Sequence, residues 1–385
     1  MGRLMKLAAT AGIMLAAATA PANAQVQKII KCPVPGPKPA KPMLQTAIDA
    51  APPGKTLRLV INNTCTETIR IPAGKSIILN GGGGAGKIRS TSASSSAVDN
   101  AGELRLEQIE VTTTAAAPSV ITSRGNSTLE IVGSTISGDT AATVVRLSDS
   151  STGRIVNSVI SGGKEVAVAT FAHAYGEIIG SADTPHFLPA VGNKTSISPS
   201  GAAIGCFRGG NILIRAQAAD ASAKGKVEIG TAASPAETGI WADMCTLSVN
   251  GADPGSIIVT SSGDAVRARM STYALSGMTV RSSDGYGLSA SQSRGSAEGV
   301  VFDASSGTSG DVSLTGGSDI RMLSGMPSSF PAFQDPSTTS LATYPSLRCV
   351  ETSTIWFDPG SVTVPEGLEA EQLMNSDVGC LDSVY

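Results

Sequence analysis

The 385 residues carry 28 lysines and arginines against 31 aspartates and glutamates, a formal net charge of −3, with no basic run. That balance argues against a nucleic-acid partner, which would need a basic stripe, and gives no support for an anionic membrane surface. Charged residues make up only 15 % and aromatics 4 % of the chain, but Leu, Ile and Val recur in short alternating runs throughout, and disordered chains lack these.

In chain order, Met1 to Ala24 reads as a secretory signal. Arg3 and Lys6 form a positive start, Leu7 to Ala20 is an apolar run, and Ala22-Asn23-Ala24 is a small-residue cleavage site leaving Gln25 first. The apolar run is shorter than the ~20 residues that span a bilayer, and no later stretch is long and apolar enough. The expected location is therefore the periplasm or the exterior. Residues 25–56 are expected to be a Pro- and Lys-rich extended lead-in followed by a capping helix. The helix is predicted over Met43 to Ala51 from Leu44, Ala47, Ile48 and Ala51 on one face, and is stopped by Pro52-Pro53-Gly54. Strand-like alternation follows at Leu57, Leu59 and Ile61, then Ile69 and Ile71, then Ile77 to Leu79, separated by turn-forming clusters.

From Leu104 the chain repeats itself. LRLEQIEV (Leu104 to Val111) aligns with LEIVGSTI (Leu129 to Ile136), Ile131-Val132 with Ile155-Val156, and Gly153 with Gly176. Downstream, SIIVTSSG (Ser256), MTVRSSDG (Met278) and VVFDASSG (Val300) align without gaps every 22 residues, with Val266 over Leu288, Ala268 over Ala290 and Gly277 over Gly299. A period of 22 to 25 residues signals a stacked-repeat architecture. It suits an all-β, right-handed, single-stranded parallel β-helix over residues 57–326, with a loop excursion expected over 181–210. A hexapeptide rhythm, as in left-handed helices, and the leucine-rich LxxLxL are both absent. An antiparallel β domain such as a sandwich stays open as the alternative. After Val312 the alternation fades, and residues 327–385 read as a C-terminal cap with a strand around Ile355-Trp356-Phe357 and a short acidic helix at Pro365 to Met374.

Six cysteines in an exported chain point to disulfides. Distant coils of a stack do not touch, so near neighbours are expected to pair: Cys32 with Cys65, Cys206 with Cys245, and Cys349 with Cys380, the last closing the C-terminal cap. A zinc site is disfavoured. There is no Cys-x-x-Cys, and His173 and His186 lie far from any close cysteine pair. GGGGAGK (Gly81 to Lys87) nearly matches a phosphate loop, but Ile88 stands where Ser or Thr is needed. Ser161-Gly162-Gly163-Lys164 has Ser-x-x-Lys spacing but follows a strand. Both read as turns.

The segments LQTAIDAAPPGKTLRL and TIRIPAGKSIILNG resemble the N-terminal cap of the right-handed parallel β-helix proteins of the pectin-lyase-like superfamily. That resemblance implies the fold and raises polysaccharide cleavage as an activity. The family's pectate lyases use calcium-binding acids and an arginine base; its polygalacturonases use clustered aspartates, Gly-His-Gly and Arg-x-Lys. None of these local patterns is present, and His173 in FAHAYG reads as a sheet histidine. No cofactor is evident, and the resemblance alone keeps calcium open.

Repeat geometry supplies a candidate binding surface. Val266, Ala268 and Met270 are expected to point inward, so Arg267 and Arg269 point out. Asp264 and Tyr286 are equivalent positions one coil apart, and Trp241 and Asp243 lie about one coil earlier. An aromatic, two guanidinium groups and carboxylates on one face would suit an acidic polysaccharide or cell-surface glycan. Two functional classes follow: a carbohydrate-active β-helix, whether lyase, hydrolase or binder, and a structural or adhesive surface protein.

Overall fold

The computed structural model describes residues 26–33, 42–182, 192–218, 224–304, 310–329, 347–350, 352–358 and 362–363. The signal segment, His186 and its flanking prolines, most of the Pro/Ser/Thr-rich stretch, the helix expected at 365–374 and Cys380 lie outside them. So does the Cys349–Cys380 pairing.

The strands of every coil pair in parallel with their equivalents above and below, in three ladders. The first ladder takes in Val26–Ile30, Thr56–Ile61, Ser76–Asn80, Glu103–Glu107, Thr128–Val132, Thr152–Val156, Tyr175–Ser181, Asn211–Gln217 and Thr246–Asn250 and continues to Thr354–Phe357. The second starts at Thr64–Thr66 and the third at Ile69–Ile71, which climbs through eleven strands to Leu347–Cys349. Three ladders wound in one sense, with right-handed crossovers, make a three-sided right-handed parallel β-helix. Inward residues alternate with outward ones on each strand, and one apolar core runs the length of the stack from Leu44 and Ile48 to Ile355.

The N-terminal end is covered as expected, but by more than a helix. Met43–Asp49 buries Leu44, Ala47 and Ile48. Its N-cap is Pro42, which offers no side-chain oxygen. Glu67 serves instead, its two oxygens accepting the N–H groups of Leu44 at 2.9 Å and Gln45 at 3.0 Å, a favourable place for a carboxylate. Gln45 then acts as a one-residue strand. Its Oε1 accepts the Arg70 N–H at 2.7 Å and its Nε2 donates to the Arg70 carbonyl at 3.1 Å, covering the open edge of the third ladder. Val26–Ile30, within the expected lead-in, is already a strand paired with Thr56–Ile61. Cys32–Cys65 is formed, as is Cys206–Cys245.

Three expectations are corrected. Residues 181–210 are not one excursion, because Lys194–Ser198 and Ala202–Phe207 are strands of the second and third ladders. The coil runs past its expected boundary at residue 326: Ser328–Ser329, Leu347–Cys349, Thr354–Phe357 and Val362–Thr363 extend the three ladders. The gapless 22-residue register holds for Val266 over Leu288 and Met278 over Val300, but Ile257 pairs with Met278 and Val259 with Val280, one residue off the alignment. The buried Ile257 and Val259 would otherwise stack on an outward column, since a one-residue slip exchanges the faces of a strand. The bend after Ser282 absorbs the difference.

Buried hydroxyls hold the bends together. Where the third ladder turns into the first, Ser271, Ser293, Ser318 and Ser353 stand one above another, all buried. Each hydroxyl accepts an N–H from the coil before it: from Cys245 at 3.1 Å, Ser271 at 3.0 Å, Ser293 at 3.1 Å and Ser318 at 3.1 Å. Each donates to a carbonyl of its own bend. Ser134, Ser158 and Thr195 repeat the accepting role between the first and second ladders. Ser293→Ala strips the acceptor from the buried Ser271 N–H. It is expected to cost about 1–3 kcal/mol, read as a lower urea midpoint, while Ser289→Ala on the outer face leaves the midpoint in place; equal midpoints for the two variants would refute the role assigned to the hydroxyl.

Candidate functional site

The outer face of the third ladder carries the predicted patch. Register places Trp241 beneath Arg267 and Asp243 beneath Arg269, so four candidates share two adjacent columns. Val266 and Ala268 face the core, and Arg267 and Arg269 are exposed. Met270 was expected to follow them inward but is 40 % exposed, with φ of 47°. It sits in the bend, where a left-handed residue ends the alternation. His173 occupies the equivalent kind of bend, with φ of 65°, and is exposed rather than held in a sheet. Asp264 and Tyr286 lie at the opposite edge, where the strands begin. Asp264 Oδ1 accepts the Tyr286 N–H at 3.0 Å, and the Tyr286 hydroxyl accepts from Arg348 Nη1 at 3.1 Å.

The structure adds residues that the sequence reading missed. The column of Trp241 continues down through Gly205 and Ala169 to Arg146. The adjacent column holds Phe171 and Phe207 below Asp243. Phe207 leans over the first column, so that a Cβ on Gly205 would lie 2.5 Å from its Cε2. Ala169, although on an outer face, is fully buried in a cluster with Val166 and Ala202, against which Phe171 and Phe207 pack. The outcome is one continuous row. The Arg146 guanidinium lies 4.7 Å from the centre of Phe171. Phe171 and Phe207 stack at 5.0 Å and 25°. Trp241 meets Phe207 at 5.3 Å, turned by 80°, and Arg267 lies 5.7 Å from Trp241. Five successive coils thus carry a cation, three rings and a cation, each contact favourable in itself. VAVATF and AAIGCF, ending in the same residue, were the available signal. They are 36 residues apart, because extra chain after Ser181 pushes them outside the 22- to 25-residue window.

Charge is arranged differently on two faces. On the first ladder Arg58, Arg105, Arg154 and Arg215 alternate with Glu107, Glu130 and Glu177 in one network of ion pairs, such as Arg105–Glu130 at 2.7 Å and Arg154–Glu177 at 3.2 Å. On the third ladder Arg146, Arg267 and Arg269, with Arg208 in the bend after Phe207, are exposed and form no ion pair with any described residue. Asp243 is the register neighbour of Arg269 but does not pair with it, and its buried Oδ1 has no hydrogen-bond partner. Stacking on a ring engages the flat face of a guanidinium and leaves its N–H fork available to an anion. The Cys206–Cys245 disulfide joins the coils of Phe207 and Trp241. Among the described residues the one group of metal-ligating side chains, Cys32, Cys65 and Glu67, is the other disulfide beside the helix-capping carboxylate. No helix among them is long and apolar enough to cross a membrane.

Fold and face together define a three-sided parallel β-helix with a cationic, aromatic-striped side. No family model and no curated protein matches the chain. Two solved structures overlay on it: full-length tailspike protein 2 from the Escherichia coli O157:H7 bacteriophage CAB120, at 11 % identity and a TM-score of 0.46 over 82 % of this chain and 40 % of that one, and the enzymatically active domain of bacteriophage CBA120 tailspike protein 2, at 11 % and 0.45 over 81 % and 44 %. The chain spans less than half the length of either. At such identity and TM-scores the overlay says nothing about ligand or activity.

Gly205→Ala puts a methyl group into the space of the Phe207 ring. We expect the ring to swing away, changing the near-ultraviolet circular dichroism of Trp241 in a Trp356→Phe background, at a stability cost no larger than the about 1–3 kcal/mol of overpacking. An unchanged aromatic spectrum would mean that Gly205 does not seat the row.

Proposed function

We propose that this protein is exported and binds an acidic polysaccharide along the outer face of its third ladder. One observation carries the reading: arginines without carboxylate partners flank a row of aromatic rings on successive coils, while Arg58, Arg105, Arg154 and Arg215 of the first ladder are all paired with glutamates. A face meant only for solvent gains nothing from leaving its guanidinium groups unmatched beside apolar rings. Anionic sugars supply both missing partners, a carboxylate for each arginine fork and a C–H face for the aromatic surface. The two disulfides and the N-terminal segment support an oxidising location outside the cytoplasm.

The test is affinity electrophoresis of the mature protein in gels containing polygalacturonate, alginate, hyaluronan or neutral dextran. Retardation is expected with at least one acidic polymer and not with dextran. It should weaken as salt rises towards 1 M, where the Debye length falls to about 3 Å. Arg267→Ala/Arg269→Ala and Trp241→Ala should each reduce it about tenfold or more. Reducing-end and unsaturated-product assays on the same mixtures separate binding from cleavage. A folded protein that migrates freely through all four gels would falsify the proposal.

A further inference from the structure

We infer that the bound glycan lies along the coil axis and is recognised as a segment about five sugars long, with Arg146 and Arg267 gripping an anionic group near each end. This rests on the reading just given and adds a direction, a length and a charge pattern to it.

The direction follows from what each path would meet. A chain crossing the face at right angles would traverse one strand, Val266–Arg269, which is four residues wide. It would then run off into the bend at Met270 after touching at most one ring. A chain along the axis meets a side chain of the row at every coil: Arg146, Phe171, Phe207, Trp241 and Arg267. The register pairs that carry this row are unbroken from strand to strand.

The length follows from the stacking. Four strand spacings separate the coil of Arg146 from that of Arg267, about 19 Å at about 4.8 Å each. One spacing is close to the length of a pyranose residue in an extended chain, so successive sugars keep step with successive coils.

The charge pattern follows from what lies between the two arginines. In their column stand only Ala169, Gly205 and Trp241, roofed by the two phenylalanine rings. The middle of the site therefore asks for sugar faces with their carboxylates turned away or absent, and its ends ask for anions. A linear polyuronate with alternating orientation and a glycan with one uronate per disaccharide both meet that demand. Both guanidinium groups are already ordered by their rings, so less freedom is lost when they engage the ligand.

The experiment is titration calorimetry with size-defined oligosaccharides, from trimer to decamer, of polygalacturonate and of hyaluronan. Affinity is expected to rise at least tenfold between trimer and hexamer and to level off beyond. Arg146→Ala and Arg267→Ala should each lower hexamer affinity about tenfold, towards the trimer's value, with far-ultraviolet circular dichroism unchanged. Equal affinities for trimer and hexamer, in a protein still retarded by the parent polymer, overturn the inference and leave the binding function standing. So does a hexamer whose affinity responds to Arg267→Ala but not to Arg146→Ala. Loss of polymer retardation itself overturns both. Which of the two oligosaccharide series is bound more tightly decides between the two anionic chemistries.

Discussion

Parallel pairing leaves one strand spacing, about 4.8 Å, between each residue and its equivalent in the next coil, and everything else in this molecule answers to that distance. It suits a buried hydroxyl, which accepts from the coil before and donates within its own bend, as Ser271, Ser293, Ser318 and Ser353 do. It suits aromatic rings, which stack at 5.0 Å in Phe171 and Phe207. It does not suit like charges, which repel when stacked directly. A column of charges must alternate in sign, be interrupted, or find its counter-ions elsewhere.

The first and third ladders answer that last demand in different ways. The first alternates, with Arg105, Glu130, Arg154 and Glu177 in successive coils, so its outer face is electrostatically closed. The third interrupts, placing rings between Arg146 and Arg267. Surface ion pairs contribute little to stability, roughly 0–1 kcal/mol each, so the difference matters less for holding the coil together than for what the faces offer to a partner.

Much of the scaffold was legible because it is written in short-range pattern. The stripe of Leu44, Ala47 and Ile48 gives the helix, alternation gives the strands, and the confinement of contacts to adjacent coils gives Cys32–Cys65 and Cys206–Cys245. What was not legible depends on where bends take up length. A left-handed residue at Met270 reverses its expected direction. A single residue shifts the pairing of Ile257. The chain added after Ser181 hides that Phe171 and Phe207 are neighbours, and with them the larger part of the candidate site. Trp241 and Arg267 were found because no such insertion separates them. Glu67 and Gln45 show a further limit: a helix cap and a strand cap supplied across the fold leave no local motif to read.

The Cys206–Cys245 bridge has a mechanical side. A stack held by nearest-neighbour contacts is a column that fractures at a boundary between coils, and a pull along the coil axis loads that column lengthwise. The bridge is a covalent rivet across one boundary, between the coils of Phe207 and Trp241. Under tension a crack is steered away from the middle of the aromatic row, and the parts on either side of it separate only after weaker seams elsewhere have given way.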